Sequence, residues 1–88
     1  MDIDWIIWDW EGDPEGNVQH IAEHGLTMDE VEEVLRSAGE RDVLVSRSSG
    51  LLITFGDTSS GKYIAVVFEI VEENPLALRP VTAYETEP

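Results

Sequence analysis

No cysteine occurs among the 88 residues, which excludes both disulfide staples and thiolate metal sites. Cations are scarce: five Lys and Arg stand against 19 Asp and Glu, a formal net charge of −14 at pH 7. Over a Debye length such a surface repels nucleic acid and anionic lipid and favours cationic partners. DNA and membrane surfaces are therefore not expected partners, and RNA is disfavoured. No apolar run approaches the roughly 18 residues of a membrane span, and the opening Met1-Asp2-Ile3-Asp4 is unlike a signal or transit peptide. A soluble cytoplasmic protein is the expectation. Repeats, linkers and low-complexity segments are absent, so residues 1–88 read as one domain with residues 85–88 as a frayed tail.

What is present is organised around Leu51 to Glu69, two apolar runs joined by Gly56-Asp57-Thr58-Ser59-Ser60-Gly61. β-branched and aromatic residues dominate both arms, and glycine at each end of the link lets the backbone reverse, so this stretch predicts a β-hairpin. Ile3 to Trp10 is apolar on both alternating sets, the pattern of a strand covered on two faces, with its three Trp residues in the core. Asp13-Pro14-Glu15 has the form of a helix start, and that helix continues to a stop at Gly25, with Val18, Ile21 and Ala22 inward. Thr27 and Glu30 have capping-box spacing for a second helix, and Leu26 can staple against Val31. Met28, Val31, Val34, Leu35 and Ala38 form its apolar stripe; Asp29, Glu30, Glu32 and Glu33 face solvent.

Val43 to Val45 reads as a short strand that turns at Ser48-Ser49-Gly50 into the hairpin. Beyond a turn at Glu72-Glu73-Asn74-Pro75, Leu76 to Tyr84 is the last strand, where Pro80 requires an edge or a bulge. The order is β-α-α-β-β-β-β: an α+β fold, a twisted, mostly antiparallel sheet with two helices on one face.

Candidate chemistry is sparse. His20 and His24 lie four apart on one predicted helix and can share a metal ion, with Glu23 or Asp9 as third ligand. The plainer reading makes His24 a helix C-terminal residue favoured by the dipole and His20 a surface group, so no metal site is assigned. The Gly56 to Gly61 link lacks the Gly-Lys-Ser/Thr order of a phosphate loop, and no cofactor is expected. Lys62, Arg47 and Arg79 lie on or beside strands and can converge on one sheet face; with a tyrosine and a histidine they would form a phosphodiester site. Otherwise each is a rim charge neutralising local carboxylates.

Trp8-Asp9, Asn17, His24-Gly25-Leu26 and Glu30 to Leu35, followed by Ile53 to Gly56, Gly61 to Phe68 and Pro80 to Glu85, resemble BrnT-type toxins of bacterial toxin–antitoxin pairs over most of the chain. The resemblance implies a RelE/ParE-like fold, an RNA-cleaving activity and a separately encoded antitoxin as partner. It places His24, Lys62, Arg79 and Tyr84 around the scissile phosphate, with Lys62 and Arg79 stabilising charge and His24 or Tyr84 transferring protons. The departures run from cation to anion: Asp57 stands where many relatives have Arg, Glu23 where they have Lys, and Tyr84-Glu85 where they carry a basic segment. Two expectations of different class follow. One is a small ribonuclease toxin; the other is a non-catalytic relative whose acidic surface or sheet edge binds protein.

Overall fold

The computed structural model describes residues 1–88. Its elements are β1 (Trp5–Ile6), α1 (Asn17–Glu23), α2 (Met28–Ser37), a 3-10 turn (Glu40–Asp42), β2 (Leu44–Val45), β3 (Leu52–Asp57), β4 (Tyr63–Glu73) and β5 (Leu76–Glu85). The five strands form one sheet in the order β1-β5-β4-β3-β2, antiparallel except where β1 runs parallel to β5. No helix is long and apolar enough to cross a membrane.

Strand alternation sets the two faces. Ile64, Val66 and Phe68 of β4 are fully buried and join Leu78 and Ala83 of β5 in one core with Ile21, Val31, Val34 and Leu35 of the helices. The intervening residues Ala65 and Val67 point to the other face. That face carries no helix. The hairpin of β3 and β4 pairs from Leu52↔Phe68 to Asp57↔Tyr63, as expected. Gly61 takes the positive φ of a reversal, but Gly56 does not. Gly56 lies within β3, where an added Cβ would stand 3.1 Å from a Val34 methyl, so its role is to let α2 approach the sheet.

α2 starts as its sequence predicts. The Glu30 amide donates to Thr27 Oγ1 at 3.2 Å, and the Thr27 amide donates to Glu30 Oε1 at 3.0 Å, a complete capping box. Leu26 and Val31 are both buried on either side of it, as a hydrophobic staple requires. α1 ends in a Schellman motif: the Leu26 amide donates to the Ile21 carbonyl, the Gly25 amide to the Ala22 carbonyl, and Gly25 adopts φ +76°. No atom lies near the position of a Gly25 Cβ, so Gly25→Ala changes only backbone conformation. It should cost about 1 kcal/mol, seen as a fall of roughly 4–8 °C in Tm by calorimetry.

The start of α1 and the first strand depart from expectation. α1 begins at Asn17 with Gly16 as N-cap, not at Asp13. Asp13 Oδ1 accepts only the Glu15 amide, closing a local turn, while the Asn17 amide is taken by Asp9 Oδ2 at 2.9 Å. A carboxylate from the segment that follows β1 thus caps the helix in place of the adjacent one. Ala22 is exposed, leaving Asn17 and Ile21 as the buried positions of this short helix. Of the segment Ile3 to Trp10, only Trp5 and Ile6 form ladder pairs, with Ala77 and Leu78. With helices on one face alone, the second face of β1 has no cover, and Trp5 is 63% exposed. Trp10, 79% exposed, lies against Gly12, and only Trp8 packs on the core, its Nε1 donating to Glu32 at 2.9 Å.

Pro80 sits beside a bulge, as its missing donor demands: Val67 pairs with Thr82 and Phe68 with Pro80, leaving Val81 unmatched. Its carbonyl, beyond the end of the short β1, accepts from Asn17 Nδ2 at 2.8 Å.

Candidate functional site

The residues expected around a phosphate fall into two groups. At the end of the sheet where β3 passes to β4, the link folds back on itself: the Thr58 amide donates to the Lys62 carbonyl at 2.8 Å, and the Lys62 amide to Thr58 Oγ1 at 3.0 Å. This directs Lys62 toward the helices, where Nζ donates to the Gly25 carbonyl at 2.9 Å and pairs with Glu30 Oε2 at 3.1 Å. Glu30 also accepts from Ser60 Oγ at 2.5 Å. The Ser60 hydrogen bond, opposed by partial burial and reinforced by Lys62 and the Thr27 amide, lowers the Glu30 pKa from its usual 4.5 to about 2. Alongside, the Ser59 amide donates to Glu33 Oε1 at 2.8 Å. Glu30 and Glu33 were expected to face solvent; they clamp the hairpin to α2 instead.

His24 caps the C-terminus of α1, one residue before the carbonyl that Lys62 holds, and its ring lies 6.4 Å from that of Tyr84 on β5. Lys62, His24 and Tyr84 therefore gather at one end of the molecule. Arg79 does not join them. It lies five residues from Tyr84 along β5, roughly 16 Å at the ordinary strand rise. Its Nη2 meets Asp9 Oδ2 at 2.6 Å, the same oxygen that caps α1. Arg47 sits in the exposed turn between β2 and β3, at the opposite end of β3 from Lys62, so the three cations do not converge on one face. His20 and His24 gain no third ligand, as no group of three His, Cys, Asp or Glu side chains assembles in metal-binding geometry.

Asn17 is the polar centre that sequence reasoning missed as a structural residue. Only 2% exposed, it accepts the Asp9 amide at 2.8 Å through Oδ1 and donates through Nδ2 to the carbonyls of Ile7 and Pro80 at 3.1 and 2.8 Å. Asp9, Asn17 and Arg79 together tie the exit of β1, the start of α1 and the middle of β5. Asp9 and Asn17 recur in the motif that carries the family resemblance, which was a usable signal; the partner of each lay too far along the chain to be read locally.

Two apolar surfaces complete the picture. On the face without helices, Phe55 and Tyr63 stack with centroids 6.3 Å apart, and Ala65 is buried between Phe55 and Tyr84 in one cross-strand row. On the helix face, at the end of the sheet opposite Lys62, a pocket of about 240 Å³ opens between β3, β4, β5 and the chain that follows α2. Leu52, Phe68, Ile70 and Leu78 are among its walls, and Glu40 is its one lining residue with a charged side chain.

Comparison with family models, curated proteins and solved structures finds no match to this chain.

Proposed function

We propose that this chain is a divergent, acidic member of the BrnT-like toxin scaffold that binds a basic protein partner and does not cleave RNA. One observation carries the reading: the two cations assigned to the phosphate are engaged by internal carboxylates, Lys62 by Glu30 and Arg79 by Asp9. Each pair removes the unit of positive charge that a phosphate would need, and the remaining surface is strongly anionic. A net charge of −14 speeds encounter with cationic polypeptides and repels RNA. Of possible partners, a cognate antitoxin is the one that the family resemblance implies.

The ribonuclease reading has one observation in its favour, the proximity of His24, Tyr84 and Lys62 at one end of the sheet. The two readings separate in a direct test. Induced expression in a bacterial host should leave growth unchanged, and the purified chain should leave labelled RNA intact. Cleavage abolished by His24→Gln, at an exposed position, would overturn the proposal in favour of catalysis.

A further inference from the structure

The geometry points to the pocket at the β2 end of the sheet as a docking site for an apolar anchor side chain carried on a basic segment of a partner polypeptide. This inference rests on the protein-binding reading above and supplies its location. At about 240 Å³ the pocket falls below the roughly 300 Å³ at which small-molecule sites begin, and its size suits one side chain. Seven of its eight lining residues are hydrophobic, so an apolar group gains from entering it. Ile70, 44% exposed, is the lining residue most open to solvent among its strand walls.

Charge chooses the flanks of the occupant. Glu40 lines the pocket, Asp42 follows it in the same turn, and Glu73 pairs with the lining residue Leu76 across the β4–β5 ladder. Asp4 accepts the Leu76 amide. Against these four carboxylates stand Arg41, the Met1 ammonium, which is itself bonded to the Ala38 carbonyl, and Arg36, which is paired with Glu32; Arg47 lies in the turn beyond β2. The rim is anionic, so the anchor's neighbours are Lys or Arg.

The backbone offers a third contact. β2 is the edge strand of the sheet, and Val45 lies opposite Leu52, a lining residue. The Ser46 amide bonds to the Leu51 carbonyl, so by antiparallel alternation the Val45 N–H and C=O point away from β3. An extended segment can pair along this edge, next to the pocket. β2 has only two residues, which leaves most of the affinity to the anchor.

Methyl- and amide-detected NMR titration of the full chain tests this with two capped peptides, Arg-Lys-Leu-Lys-Arg and the same peptide with Ser in place of Leu. The Leu peptide should shift the methyls of Val43, Leu52, Ile70 and Leu76 and bind roughly tenfold more tightly than the Ser peptide, the ratio expected from burying most of a leucine side chain. Ile70→Ser, at a half-exposed rim position, should weaken the Leu peptide and leave the Ser peptide unchanged. Raising salt severalfold should weaken both and preserve their ratio. Equal binding of the two peptides, or shifts confined to Phe55, Tyr63 and Tyr84 on the opposite face, overturns the inference. RNA cleavage together with the expected titration would sink the non-catalytic reading alone; intact RNA with equal peptide binding would sink the pocket alone.

Discussion

Asn17→Ala should lower the melting temperature by roughly 12–24 °C, the consequence of about 3 kcal/mol of lost stability in a domain of this size. The side chain is the shared partner of three backbone groups, the Asp9 amide and the carbonyls of Ile7 and Pro80. Alanine leaves all three without it, and each such loss at a buried site costs about 1 kcal/mol or more. In the native chain every buried side-chain nitrogen and oxygen has a partner, so no spare group stands ready to replace the amide. Asn17→Asp separates hydrogen bonding from shape. The carboxylate has nearly the volume of the amide, yet at neutral pH it sets a charge against two carbonyls and beside Asp9. It should destabilise at least as much as alanine at pH 7 and recover part of that loss on acidification, once a protonated oxygen can donate. Thermal unfolding followed across pH measures both effects. A fall of only a few degrees for Asn17→Ala would mean that apolar packing and the Asp9 contacts with Arg79 and the residue-17 amide suffice to hold the three segments.

The second large effect concerns Glu30. Its pKa is about 2 in the fold against a usual 4.5, so the unfolded chain takes up the proton first as pH falls. The sign follows: the stabilisation is fully present above pH 4.5 and is lost as pH drops through that value toward 2. Taken at face value the shift amounts to about 3 kcal/mol. The side chain retains 11% exposure, and screening by water and salt reduces the expected contribution to about 2 kcal/mol. Glu30→Gln should therefore unfold at lower denaturant at pH 7 and converge on the parent chain near pH 2. Because 18 further carboxylates of the 19 titrate in both proteins, the difference between the two curves isolates this group. The same variant releases Lys62 from its carboxylate. If Lys62 were a catalytic cation held in check, Glu30→Gln would gain RNA cleavage; the protein-binding proposal expects none.

Local signals carried much of the fold. The Thr27 and Glu30 capping box, the glycine stop at Gly25, the β3–β4 hairpin and the bulge at Pro80 all stand where residue chemistry places them, because each depends on neighbours within a few positions. The failures have a common origin. Trp5 and Trp10 have the composition of core residues, but burial requires a second covering layer, and the helices occupy one face only. Asp13-Pro14 has the chemistry of a helix start, but Asp9 competes for the role through the Asn17 amide and prevails. The candidate site divides in the same way. Residue type singled out Lys62, Arg79, His24 and Tyr84, whereas pairing across 32 positions for Lys62–Glu30 and 70 for Arg79–Asp9 determines what those side chains are free to do.

By itself the chain's sequence determined an acidic α+β domain: alternation and turn residues specify the strands, and capping and helical periodicity specify α2. Tertiary structure alone decided which charges remain available, which tryptophans meet solvent, and that a pocket opens at the β2 end of the sheet. The physical reason is range. Backbone preference acts over a few residues, but an ion pair or an uncovered face exists only once distant segments have been brought within hydrogen-bonding distance of one another.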